Sequence, residues 1–313
     1  MATTTKPQKN PVMKAEPAAL RVPAAAKINL YLHVTGLRDD GYHTLESLVA
    51  FAGIHDTLTL APAPDLTLTV TGPFADGLGA DEDNLVMMAA DRLRRAADID
   101  VGCAIGLEKY LPVAAGIGGG SADAAAVLGG LVRLWKINPA ALDLNDLGLT
   151  LGADVPVCLF GEAAYVGGIG EKVTRAPMLP AAWLVLINPG VTLSTPAVFK
   201  ARQKINQERG SRTDRFEESP ATAAMLAEYL HTRNNDLTDD AIGLQPVIGD
   251  VLDSLHGSEE ILLARMSGSG ATCFGLYAEA DGAALAAAEL SQRHPEWWVR
   301  ATPLLSDART LAV

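Results

Sequence analysis

Aromatic side chains are in short supply in this chain of 313 residues: six Phe, six Tyr and four Trp amount to 5% of it. Its cores must therefore be built from Ala, Leu and Val, and an aromatic placed in a polar turn calls for a reason. Cysteine is rarer still. Cys103, Cys158 and Cys273 are odd in number, far apart and set in apolar segments, which argues against a disulfide framework or a Cys-rich metal site and suits buried thiols in a reducing, cytoplasmic compartment. Positive charge is in deficit, with 25 Lys and Arg against 37 Asp and Glu for a formal net charge of -12. That balance argues against nucleic acid or an acidic membrane surface as partner, so an anionic ligand needs a local basic pocket. Long hydrophobic runs are missing too. Gly, Pro or a charge interrupts every apolar stretch before the roughly 20 residues of a membrane span. Residues 1–17 carry Lys6, Lys9 and Lys14 but no apolar stretch of the signal-peptide kind, and read as a disordered tail.

What is there suits a folded soluble protein, 49% hydrophobic and 20% charged, long enough for two cores of about 150 residues each. From residue 22 the pattern Val-Pro-Ala-Ala-Ala-Lys-Ile-Asn-Leu-Tyr-Leu-His-Val has the strand period, predicting Lys27, Asn29 and Tyr31 on one face and Ile28, Leu30 and Leu32 on the other. Residues 36–43 have turn composition and predict an exposed loop. Residues 56–60 and 65–71, rich in Thr, Leu and Val, read as the two strands of a hairpin. Asn84 stands at the start of a helix from Leu85 that runs to arginines. A strand over 102–108 follows, then a glycine-rich run, a helix ending near Asn138, and a second helix over 139–151 that Gly152 stops. The prolines at 177 and 180 mark a linker. Beyond it the pattern predicts a strand over 183–187, a charge-dense surface loop over 200–219, helices over 221–231 and 245–255, and a strand over 273–277. No regular βαβα rhythm of a doubly wound sheet is present, and the chain reads as α+β.

The run Leu111-Pro-Val-Ala-Ala-Gly-Ile-Gly-Gly-Gly-Ser-Ala-Asp123 joins a glycine-rich loop to the start of an alanine-rich helix. This is an arrangement for holding phosphate. Gly116, Gly118, Gly119 and Gly120 remove the Cβ atoms that keep an anion at a distance, and Ser121, Ala122 and Asp123 bring unpaired N–H groups at a helix N-terminus. A Walker A loop would close on Lys-Ser/Thr, and a dinucleotide loop would have glycine where Ser121 stands; neither fits. The plain alternative is a structural turn between strand and helix.

Two isolated charges need partners. Asp154, in Leu-Gly-Ala-Asp-Val-Pro-Val, has apolar neighbours throughout, so either a cation faces it or it caps nearby backbone. Lys27, after three alanines in a strand, is either paired or reaches solvent along its stem. A second glycine-rich run, Arg265-Met-Ser-Gly-Ser-Gly-Ala-Thr-Cys-Phe274, leads into an apolar strand. In this order the Lys strand, the phosphate loop and the C-terminal glycine loop resemble the GHMP kinase superfamily, across residues 22–274. Pro23-Ala-Ala-Ala-Lys-Ile-Asn-Leu, Asp40-Gly-Tyr-His-Thr, Glu82-Asp-Asn-Leu, Leu149-Thr-Leu-Gly-Ala-Asp-Val-Pro156 and Thr195-Pro-Ala-Val-Phe199 are similar to one branch of it, whose acceptor alcohol carries a cytidine diphosphate.

The resemblance implies a two-domain α+β GHMP kinase fold. A ribosomal protein S5 domain 2-like, ATP-binding domain would span 18–180 and a ferredoxin-like, substrate-binding domain 181–313, with the active site in the cleft between them. It implies ATP and Mg²⁺, small-molecule partners only, a monomer or weak homodimer, and Asp154 as general base with Lys27 as its electrostatic partner. Pro112, Ala114, Ala115, Gly116, Ile117, Gly118, Gly119, Gly120 and Ser121 would hold the triphosphate, with Ser121 the best hydroxyl for phosphate or Mg²⁺ and Asn84 and Lys109 near the adenine. Tyr42 and Phe199 would sandwich the cytosine and His43 read its edge. Asn29, Thr195, Gly268 and Gly270 complete the substrate site, and no set of metal ligands is implied. A kinase of the same superfamily acting on homoserine, mevalonate or a sugar is the alternative. Three residues depart from the pattern: Ala114 and Ala115 where glycines are usual, and Tyr110 where a basic residue is. Asp123 adds a negative charge close to the expected phosphates.

Overall fold

The apolar stretches around Lys27 and Ser47 pair as two long antiparallel strands, β1 (Leu20–Leu37) and β2 (His43–Ala63), joined by the exposed turn at residues 38–42. The computed structural model describes residues 19–79, 84–202, 215–216 and 218–311; the expected tail and most of the expected loop over 200–219 lie outside these. The first half continues with β3 (Leu66–Thr71), α1 (Leu85–Ala96), β4 (Gly102–Glu108), α2 (Gly119–Leu134), α3 (Leu144–Leu151), α4 (Val155–Phe160), β5 (Ala164–Gly168) and β6 (Lys172–Arg175). The second comprises β7 (Trp183–Asn188), α5 (Thr195–Arg202), α6 (Ala223–His231), α7 (Thr238–Leu244), α8 (Val247–His256), β8 (Leu263–Met266), β9 (Cys273–Tyr277), α9 (Ala280–Arg293) and β10 (Trp298–Leu305). No described helix is long and apolar enough to cross a membrane.

Three expectations are corrected. The strands over 56–60 and 65–71 are not a hairpin: β4 lies between them, antiparallel to β2 and parallel to β3, because the chain returns through α1 before pairing. Strict alternation along β1 also fails. Its register with β2 shifts between Ala25 and Lys27 and between Asn29 and Tyr31, and at the second shift the extra residue lies on β1 and turns the side chain that follows. Tyr31 thereby joins Ile28 and Leu30 in the core, while Lys27 and Asn29 keep the cavity. The helix expected over 139–151 is broken into a 3₁₀ turn (Pro139–Ala141) and α3, because the Asp143 carboxylate accepts the N–H groups of Asn145 and Asp146, both at 3.0 Å, and starts a new helix. The short strands β5 and β6, the helices α4, α5, α7 and α9, and β10 have no counterpart in the sequence reading.

In the second half the antiparallel order β10-β7-β9-β8 places its four strands as 4-1-3-2, the ferredoxin-like pattern. The two halves are sewn together. Leu304 and Leu305 of β10 pair with Ala52 and Phe51 of β2, and the Ala163 N–H donates to the Ser306 carbonyl at 2.7 Å. One buried cluster joins Ile28, Leu30 and Leu48 to Leu184, Leu186, Phe274 and Leu304. The chain therefore crosses back over the division expected at 180/181, and its last described residues pack on the first half.

Candidate active site

The two glycine runs meet backbone to backbone. Gly116 adopts φ +75°, and a Cβ there would stand 2.5 Å from the Gly270 carbonyl oxygen and 2.6 Å from that of Ser267. Only glycine allows the approach. The Ser267 hydroxyl clasps three segments, accepting from the Asn29 N–H at 3.1 Å and donating to the Gly116 carbonyl at 3.2 Å. Two backbone bonds complete the clasp, from the Thr272 N–H to the Ala115 carbonyl (3.1 Å) and from the Lys27 N–H to the Ile117 carbonyl (2.9 Å). Gly118, at φ +65°, precedes α2 without any side-chain cap. The N–H groups of Gly119, Gly120 and Ser121 thus begin the helix with no intrahelical partner, on residues that line a cavity of about 980 Å³. The sequence expects these groups on Ser121, Ala122 and Asp123; the helix instead begins at Gly119, and the Ala122 N–H is already taken by the Gly118 carbonyl at 2.8 Å.

Lys27 reaches into this cavity from β1. Its Nζ donates to Asp154 Oδ2 at 2.9 Å and to Asn29 Oδ1 at 2.7 Å. The Asn29 amide in turn donates to the Ser47 hydroxyl at 2.8 Å, and Ser47 to the Tyr31 carbonyl at 2.5 Å. The Lys27 side chain is 3% exposed and that of Asp154 42%, so the ammonium is held in the protein while the carboxylate looks outward. Both alternatives left open by the sequence fall away: Lys27 does not run to solvent, and Asp154, though it precedes α4, makes no capping bond.

The same cavity is lined by Tyr42, His43, Thr195, Phe199, Gly268 and Ser269. Phe199 stacks on His43, with centroids 5.1 Å apart and planes 29° apart, and Tyr42 beside it is 62% exposed. Burial, followed by the charge of Arg202, holds the His43 imidazole below its usual range. Thr195 Oγ1 and Ser269 Oγ lie 2.7 Å apart and tie α5 to the second glycine loop. Ala114 and Ala115 also line the cavity, and Ala114 sits at φ +52°, the left-handed conformation in which glycine is free of strain.

Other predicted residues lie elsewhere. Lys109 is buried between Asp56 and Asp123 and is absent from the cavity lining; two carboxylates claim the ammonium expected near an adenine. Asn84 acts as the cap of α1, its side-chain oxygen accepting the Val86 N–H at 2.9 Å. Pro112 and Ile117 are buried in the loop that supports the cavity, and Gly270 stands behind it against Gly116. Asp123 points away from the cavity toward Lys109. Its carboxyl is pushed up to about 7, chiefly by burial, with Lys109 opposing. Sequence reasoning missed Ser47, whose hydroxyl folding brings to β1; Ser267 and Ser269 stand inside a run already singled out, but their partners Asn29, Gly116 and Thr195 lie far away in the chain. Among the described residues no group of three or more His, Cys, Asp or Glu is placed to hold a metal ion.

The chain is similar to known proteins over most of its length. The model of the GHMP kinases N terminal domain matches residues 84–162 and that of the GHMP kinases C terminal domain residues 220–296. A 4-diphosphocytidyl-2-C-methyl-D-erythritol kinase of Paramagnetospirillum magneticum is 54% identical over 91% of this chain and 98% of its own length. One from Rhodospirillum rubrum is 51% identical, over 91% and 92%. The crystal structure of a 4-(cytidine 5'-diphospho)-2C-methyl-D-erythritol kinase superposes with a TM-score of 0.72 at 34% identity, covering 91% of this chain and 99% of that one. The chain accordingly belongs to the 4-diphosphocytidyl-2-C-methyl-D-erythritol kinase family of the GHMP kinases, and is an ATP-dependent small-molecule kinase.

Proposed function

We propose that this kinase transfers the γ-phosphoryl group of ATP to the C2 hydroxyl of 4-diphosphocytidyl-2-C-methyl-D-erythritol, the alcohol named in its relatives, in the synthesis of isoprenoid precursors. One observation carries the reading: the Lys27–Asp154 pair, at 2.9 Å, opens into the cavity that the N-terminus of α2 and the His43–Phe199 stack also line. Asp154 takes the proton of the acceptor hydroxyl. The oxygen attacks the γ-phosphorus as the bond to the β,γ-bridging oxygen breaks, and ADP leaves with the bonding pair. Lys27 has three donors, of which Asp154 and Asn29 take two; the third is available to the reacting oxygens, where its charge offsets what develops in the transition state. The loop of residues 112–121 and the free N–H groups of α2 hold the triphosphate, and the His43–Phe199 stack offers the cytosine an aromatic face.

The donor set of the cavity suits a Mg²⁺ carried mainly by phosphate oxygens and water, because its catalytic carboxylate is already paired with Lys27 and the Asp123 carboxylate of α2 faces Lys109. Ser121, whose hydroxyl faces Gly152, is the side chain at hand for such an ion. When bound, the ion would neutralise phosphate charge. Incubating the protein with ATP, Mg²⁺ and the cytidylyl alcohol should release ADP; none above background refutes the reading. Homoserine, mevalonate or galactose in the same assay should release little.

A further inference from the structure

The strand that carries Lys27 and Asn29 is an edge strand: β1 pairs with β2 alone, and an open edge leaves backbone N–H and C=O groups to be satisfied by other means. Segments of the second half supply them. Asn29 donates its N–H to the Ser267 hydroxyl at 3.1 Å, Leu32 bonds the Asn234 carbonyl (3.1 Å) and the Asp236 N–H (2.8 Å), and the Val34 N–H donates to the Asp236 carboxylate at 2.9 Å. Leu30 lies between these. There β1 advances two residues, from Asn29 to Tyr31, against one of β2, so Leu30 has no partner across the ladder. Its carbonyl accepts instead from Arg265 Nη1, at 2.6 Å. Arg265 and Ser267, two residues apart at the end of β8, thus grip β1 on either side of the Asn29–Leu30 peptide.

A buried guanidinium is an expensive donor for one carbonyl, since a neutral side chain would serve with less desolvation. Arg265 is 8% exposed, and each of its hydrogen-bond partners among the described residues is a carbonyl oxygen. Burial, followed by the charge of Arg233, brings the guanidinium down to about 10, which still leaves it charged at neutral pH. The end of α6 offsets that burial. Nη2 donates to the carbonyls of Leu230, in the last turn of α6, and of Arg233 just beyond it, at 2.9 and 2.7 Å, where the helix dipole is negative and favours a cation. One rigid fork therefore sets β1 against α6 and the second glycine loop. We propose that Arg265 is a positioning residue for the transfer: by pinning β1 at Leu30 it aims the Asn29 side chain, which holds the Lys27 ammonium beside Asp154. The Lys27 N–H is fixed separately, on the Ile117 carbonyl at 2.9 Å, so a slip at Leu30 displaces Asn29 first. Without the 2.7 Å bond from Lys27 Nζ to Asn29 Oδ1, the ammonium is free to swing away from the reacting oxygens.

The proposal rests on the reading of Lys27 and Asp154 as the reacting pair, and steady-state kinetics of the full chain with MgATP and the cytidylyl alcohol separate the two. Arg265→Met should lower kcat about 10²-fold, the scale of a misplacement near 1 Å, with KM for ATP within about twofold, because its contacts are on β1 and α6 rather than on the phosphate cradle. Arg265→Lys keeps the charge at α6 and a donor for Leu30. It should recover about tenfold of that loss. In a chain already carrying Asn29→Ala, adding Arg265→Met should lower kcat by less than about threefold, because the residue it acts through is gone. A merely structural arginine would lower thermal stability and cost the same factor in both backgrounds. Equal factors, an unchanged kcat in Arg265→Met, or failure of both arginine variants to fold overturns this proposal alone. Near-normal turnover in both Lys27→Met and Asp154→Asn overturns the reading of the pair and this proposal with it.

Discussion

Two lysine–aspartate groups flank the glycine-rich loop, and they differ in what they face. Lys27 and Asp154 share a cavity with the helix N-terminus, and Asp154 keeps much of its surface in water; Lys109, Asp56 and Asp123 are closed off, each under 5% exposed at the side chain. Both lysines are buried and both touch carboxylates. What separates chemistry from scaffold is access: a carboxylate that meets solvent can meet an alcohol, whereas one held by backbone N–H groups and a sealed ammonium can only hold the chain.

The comparison breaks most sharply at Asp154. Asp154→Asn should lower kcat by about 10²–10⁴-fold, the usual worth of a general base, with ATP binding retained in a direct titration; near-normal turnover would move the base role elsewhere. Lys109→Met should do the opposite, costing about 3 kcal/mol of unfolding free energy in urea because two buried carboxylates lose their cation. Lys27→Met, whose partner can regain water, should cost about 1 kcal/mol or less while turnover collapses. Equal losses of stability in the two lysine variants would erase the distinction. Ser267→Ala removes the hydroxyl between Asn29 and Gly116, and kcat/KM should fall about tenfold through misplacement of the Lys27 strand against the loop. The smallest effect belongs to Ala114→Gly. Relief of the left-handed alanine slightly exceeds the added freedom of the unfolded chain, so stability should rise by about 0.5 kcal/mol in thermal unfolding.

Much of the site was legible in one dimension because its parts carry unusual local chemistry. Four glycines about the start of a helix, an aspartate among apolar residues and a lysine after three alanines each conflict with their neighbours, and such conflicts mark sites. Asp143 and Asn84 show where the reading reached less far. A cap and a ligand look the same in sequence, and an Asp that restarts a helix is distinguished from one that continues it only by where its carboxylate points. The partners of Lys109 were hidden for a related reason: Asp56, 53 residues earlier, claims it, and no local pattern announces a partner at that distance. The β1 irregularities likewise depend on the register with β2, since Tyr31 enters the core where β1 advances two residues against one of β2.

The sequence by itself determined the glycine-rich turn, most of the helices and strands around it, and that Lys27 and Asp154 are isolated charges in need of partners, since these follow from local backbone freedom, periodicity and the cost of an unpaired charge. The tertiary structure decided which lysine meets which aspartate, which of the two groups opens to ligand, and that both glycine loops and β1 are clasped by one serine hydroxyl. Burial and close approach are properties of segments far apart in the chain, and they acquire values only when the two halves share a core.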